Sequence, residues 1–163
     1  MKLLLLSIAL MMSSNVFAEA ALHAHEHGSI ILETAVEGNS ATFSVDGPAE
    51  SFLGFENKAK TAKEKKEFAD VKNLWTNKFF DLVSFDKNLA CKLSEGKFEQ
   101  EIEGNHSDIQ ASIKVICSKD LKGAKIVINL KKHFKHIKKL KMDLVGNETK
   151  SIDINSPSFE VTL

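Results

Sequence analysis

Between Ile109 and Cys117 every second residue is apolar (Ile109, Ala111, Ile113, Val115, Cys117), and Gln110, Ser112 and Lys114 fill positions between them. Successive side chains of a strand point to opposite faces, so this pattern describes a strand with one face covered and one face wet. A chain containing it must build a sheet and something to pack on that sheet. The same period runs through Ile30, Leu32, Thr34 and Val36, and resumes in Ala41, Phe43 and Val45 after Gly38-Asn39, which predicts a hairpin. Leu89, Cys91 and Leu93 alternate, as do Ala124, Ile126, Ile128 and Leu130. Three further strands are expected around 140–145, 150–154 and 159–163.

One stretch departs from period two. Thr61 and Glu64 have the T-x-x-E spacing of a capping box, and Phe68, Val71, Leu74 and Trp75 follow on one face of a lysine-rich segment. A helix over about 61–75 is expected. Gly47-Pro48 should end the hairpin, leaving PAESFLGFEN as an irregular, aromatic-rich connection, and KKHFKHIKKL reads as a short helical turn near 132–138. The fold class is therefore α+β, mainly antiparallel sheet with one amphipathic helix.

The start of the chain has the order of a secretory signal peptide: Lys2, an apolar run from Leu3 to Met12, then small residues ending in Ala18. That run is short of the roughly 20 residues needed to span a bilayer, and no later segment comes closer, so no integral membrane segment is expected. Cleavage after Ala18 leaves 19–163 as one periplasmic domain, and cleavage after Ala20 is the alternative. The mature part holds Cys91 and Cys117, and an even count in an exported chain reads as a disulfide. With 22 basic and 22 acidic residues the chain is neutral, which argues against a nucleic-acid binder. All 22 basic residues are lysine, so the arginine forks that grip phosphate or carboxylate are absent.

The histidines carry the chemical signal. His23, His25 and His27 sit together in LHAHEHGS, and imidazole is a common ligand for zinc and suits copper and nickel. Residues two apart on a strand lie about 7 Å apart, so three in a straight strand span about 14 Å, too far for one tetrahedral ion. Either the segment bends before the sheet begins, or one pair binds and the third ring serves another site. Glu26 should point away from its histidine neighbours, which makes it a poor general base. His106, in GNHSD, is a candidate remote ligand with Asp108 or Glu103 near it. His133 and His136 lie among six lysines between Lys131 and Lys141, whose repulsion disfavours a divalent cation, so a solvated face is expected there. Cleavage after Ala20 would put His23 third from a free amine, a square-planar copper(II) or nickel(II) arrangement. No G-x-S-x-G, free-thiol Cys/His pair or phosphate-binding glycine loop is present, so the chain is not expected to be an enzyme.

Taken in order, HAHEHG opening a strand, GPAESFLGFEN, LACKL and HSDIQASIKVIC resemble the zinc-regulated periplasmic family typified by the ZrgA zinc-uptake protein, over essentially the whole mature chain. The resemblance implies a periplasmic zinc-binding protein with histidine ligands that assists zinc acquisition beside a zinc ABC transporter. Two departures stand out. Members often carry a long His/Asp-rich insertion between the cysteine strands, where this chain has KFEQEIEGNHSD and keeps only His106. They also commonly read GFEH where this chain has Gly54-Phe55-Glu56-Asn57, so Asn57 replaces a possible ligand while Glu56 remains. The competing expectations are an envelope interaction or structural β-module with incidental histidines, and a periplasmic copper- or nickel-binding protein.

Overall fold

The structure is a computed structural model that describes residues 26–146 and 148–163. The proposed signal peptide, His23 and His25 lie outside the described residues. Among the described residues, nine strands and four helices run β1 (Ser29–Glu37), β2 (Ser40–Pro48), α1 (Ala49–Leu53), α2 (Ala62–Asn77), α3 (Phe79–Leu82), β3 (Val83–Phe85), β4 (Lys92–Glu103), β5 (His106–Ile116), β6 (Lys125–Ile128), α4 (Leu130–His133), β7 (Lys139–Val145), β8 (Thr149–Asp153) and β9 (Phe159–Thr162). The larger sheet has the order β4-β5-β2-β1-β7-β8, and β3-β6-β9 form a second sheet.

The expected hairpin is β1–β2, joined at Gly38-Asn39 and registered with Thr34 opposite Phe43. The sheet is not wholly antiparallel, because β1 pairs with β7 in parallel, Ser29 opposite Lys139. Period two decides which face is covered. Ile30, Leu32, Phe43, Val45, Ile109, Ile113, Val115, Leu140 and Met142 are buried on the inner face. Their neighbours Ile31, Glu33, Lys114 and Ile116 face outward.

Helix α2 covers the inner face through Val71 and Trp75, with Phe68 edge-on to Phe98 of β4 at 5.6 Å between centroids. Its start is the expected capping box: Thr61 Oγ1 accepts from Glu64 N at 3.2 Å, and Glu64 Oε2 accepts from Thr61 N at 2.9 Å. Phe79 of α3 and Phe85 of β3 both meet Phe43 of β2, which packs the small sheet against the same core.

Cys91 and Cys117 are disulfide-bonded at 2.03 Å. The bond joins the residues just outside the open end of the β4–β5 hairpin. Residues 87–89 are a short 3-10 turn, so the alternation at Leu89 does not mark strand.

Two further expectations shift. Strand β2 continues through Gly47 and Pro48, which sit opposite Ile109 and Asp108, and PAESFLGFEN contains α1 instead of being irregular throughout. The helical turn near 132–138 is displaced to Leu130–His133, with a turn at 135–136 after it.

Candidate metal centre

One end of the large sheet gathers four chain segments: the start of β1, the end of β2 with α1, the loop after α1, and the start of β5. A turn precedes β1, with Ser29 N donating to Glu26 O at 2.8 Å and Gly28 at φ 81°. The chain thus bends at His27-Gly28, just before the sheet begins. Gly28 N donates to the buried Ser51 Oγ of α1 at 3.2 Å, which sets His27 against that helix.

Helix α1 presents Glu50. It ends at Gly54, left-handed at φ 76°, whose N–H closes onto Glu50 O at 2.9 Å. The reversed chain direction then brings Glu56 back over the sheet end. Ser107 Oγ donates to Glu56 O, anchoring the backbone of that residue to the start of β5. Gln100 ties the same corner by donating to Ser107 Oγ at 2.8 Å and to Asn57 O at 3.3 Å.

These supports bring the functional atoms together. His27 Nδ1 lies 2.7 Å from Glu50 Oε2 and 2.9 Å from Glu56 Oε1. The other oxygen of Glu56, Oε2, is 2.9 Å from His106 Nδ1. His27, Glu50 and Glu56 each offer one ligand atom, all within 4.8 Å of one another, and His106 joins through the shared carboxylate. Glu56 is the most enclosed of the four, with its side chain 23% exposed against 74% for His106. The group is therefore open to solvent on one side and backed by protein on the other. Around a tetrahedral zinc with bonds of about 2 Å, neighbouring ligand atoms lie about 3.3 Å apart. The two contacts of His27 Nδ1, 2.7 Å to Glu50 and 2.9 Å to Glu56, fall a few tenths of an ångström short of that spacing.

Of the four histidines expected at a metal, the structure places His27 and His106 on one carboxylate, 79 residues apart in sequence. His23 and His25 lie outside the described residues. Glu103 faces His106 across the β4–β5 turn, but the atom His106 meets is on Glu56. Glu26, ahead of the turn that precedes β1, pairs with Lys139 Nζ at 2.7 Å and lies outside the His27–Glu50–Glu56 group. His133 and His136 are both exposed and lie outside the His27–Glu50–Glu56 group.

Glu50 went unnoticed in the sequence. Its only local signal is its place six residues before Glu56, and only the α1 turn makes the two converge.

The sequence model of the ZrgA family, described as zinc uptake proteins, matches residues 24–163. The chain belongs to the ZrgA family. The match runs from just before His25 to the C-terminus, so it includes both cysteines and every member of the His27–Glu50–Glu56–His106 cluster. No curated protein matches the chain. Zinc uptake is the role the ZrgA family name supports.

Proposed function

We propose that the protein is a non-catalytic, periplasmic zinc-binding accessory protein that takes up zinc at His27, Glu50, Glu56 and His106 and passes it on, with a zinc ABC transporter as the destination. The observation that carries this reading is the sharing of Glu56, whose two oxygens each meet a different imidazole. Two imidazoles and two carboxylates are a nitrogen and oxygen set suited to zinc. His23 and His25 precede His27 by four and two residues and supply spare ligands for capture or exchange.

A carrier fits the site better than a hydrolase. The neighbouring carboxylate in sequence, Glu26, is held by Lys139 on the other side of the turn, and the ligands are exposed enough to exchange. A permanent structural zinc is normally closed off. The signal-like N-terminus and the disulfide support an extracytoplasmic setting, and among the described residues no helix is long and apolar enough to cross a membrane.

Isothermal titration of untagged protein with zinc, copper and nickel tests the assignment. Zinc should bind the wild type, bind Glu56→Gln at least tenfold more weakly, and bind the His23→Ala/His25→Ala/His27→Ala variant without the tight phase. An unchanged zinc isotherm in Glu56→Gln would move the centre elsewhere. A copper preference lost only with His23 would favour the amine-terminal copper site.

A further inference from the structure

The lysine-rich segment after β6 is not accounted for by zinc binding, and the structure divides its six lysines into two kinds. Three are occupied. Lys131 Nζ donates to the carbonyls of Lys138, Ile154 and Asn155 at 3.0–3.5 Å, Lys139 pairs with Glu26, and Lys141 pairs with Asp143 at 3.4 Å. Lys132, Lys135 and Lys138 are exposed and have no acidic partner among the described residues. Leu130, Phe134, Ile137 and Leu140 are buried beneath them. Four apolar anchors thus fix the backbone of a ridge on which Lys132, Lys135 and Lys138 stay exposed.

This ridge adjoins the candidate metal centre. Gly28 O, next to His27, accepts from both Lys138 N and Lys139 N at 2.8 and 2.9 Å. A Cβ on Gly54, two residues before Glu56, would lie 3.0 Å from His136 Nε2. Below the ridge a surface cleft is lined by Lys138, Lys139 and Lys141, with Ser29, Ile31 and Asp153. It begins two residues from His27.

We propose that this ridge and cleft are the docking face for an acidic segment of the protein that accepts the zinc, a proposal that rests on the zinc reading of the centre. An acceptor must bring its own carboxylate and imidazole ligands to the ion, so the part of it that approaches is acidic, and the free lysines complement it. Charge complementarity of this kind steers encounter and fixes orientation. It also places the acceptor's ligands beside His27. The ridge suits a protein better than a lipid surface. Surface-seated segments present apolar side chains for insertion, whereas here Leu130, Phe134, Ile137 and Leu140 are buried in the core. The partly exposed Ile31 of the cleft offers a peptide one apolar contact.

The test uses metal-free protein and a fluorescein-labelled 12-residue peptide of alternating Asp and His, with a Ser/His peptide as the neutral control. Anisotropy should show the wild type preferring the acidic peptide, with affinity falling steeply as salt rises. Lys132→Glu/Lys135→Glu, which leaves Lys138 on the Gly28 turn, should bind it at least tenfold more weakly while its zinc isotherm stays that of the wild type. The proposal is overturned if wild type and variant bind the acidic peptide alike, or if the Ser/His control binds equally well. It is also overturned, in favour of a membrane, if the wild type ignores both peptides yet sediments with phosphatidylglycerol/phosphatidylcholine vesicles and the variant does not. Peptide binding in a protein that takes no zinc would count against the zinc reading, leaving the docking face but removing the identity of its partner.

Discussion

Gly28 stands where the histidine segment turns into the sheet, and two independent constraints make it glycine. Its φ of 81° lies in the left-handed region that side chains disfavour, and a Cβ there would lie 2.8 Å from the backbone oxygen of His136. That oxygen cannot move cheaply, because it belongs to the chain that packs Phe134 and Ile137 into the core. Gly28→Ala must therefore shift the turn and carry His27 away from Glu50 and Glu56. The expected outcome is a loss of about 1–3 kcal/mol of stability, typical of strain at such a position, with zinc binding weakened at least tenfold. Thermal melts and zinc titration of the same sample check both parts. A variant that melts lower yet binds zinc normally would show that the turn does not position His27.

At the level of elements, the parts with a long period were legible and the short ones were not. Strands β1, β2 and β5 and helix α2 repeat their pattern often enough to declare themselves. Helix α1 has five residues, less than two turns, so no period could reveal it. With α1 hidden, the convergence of Glu50 on Glu56 was hidden too. His106 was visible as a candidate only because it stood in a polar stretch, and its actual partner lies 50 residues earlier. Pairings of that kind depend on tertiary packing that local pattern does not encode. The parallel β1–β7 pair is another case, since alternation gives a strand its faces and leaves the direction of its neighbour open.

Three predictions rest on the capping box and the disulfide. Hydrogen bonds from the backbone N–H groups of Thr61 and Lys60 hold the Glu64 carboxyl below its ordinary value of 4.5. A depressed folded value means that Glu64 supports the start of α2 fully above its unfolded value, and that this support is lost as pH falls through the folded one. Thr61→Ala removes half of the box and should lower the melting temperature by a few degrees at neutral pH. Glu64→Gln should flatten the decline in stability between about pH 5 and 3 relative to wild type, which urea midpoints across that range would measure. The disulfide belongs to the opposite end of the hairpin. It closes a separation of 26 residues, so Cys91→Ser/Cys117→Ser should cost about 3–4 kcal/mol on the chain-entropy account. The 11 residues of β5 between that end and His106 span about 35 Å, so zinc affinity of the folded double variant should match wild type.

For the whole molecule, a neutral sum conceals a division of labour. The same sheet end carries an imidazole–carboxylate cluster and, one strand over, a ridge of unpaired lysines. A positive ridge beside a cation site opposes very tight retention, and exposed ligands such as His106 allow exchange without unfolding the domain. Both properties favour transfer over storage. Cells lacking the protein should grow normally in rich medium and fall behind as a zinc chelator is titrated in, with added zinc restoring growth and added manganese or copper failing to. The decisive comparison is between complementing alleles. Wild-type and Cys91→Ser/Cys117→Ser protein, if the latter accumulates, should rescue, because the disulfide lies far from the centre. Glu56→Gln should accumulate to wild-type level, since Ser107 holds the backbone and not the carboxylate of that residue, and yet should not rescue. Full rescue by Glu56→Gln would separate growth on scarce zinc from the His27–Glu56–His106 cluster and leave the envelope-module reading in its place.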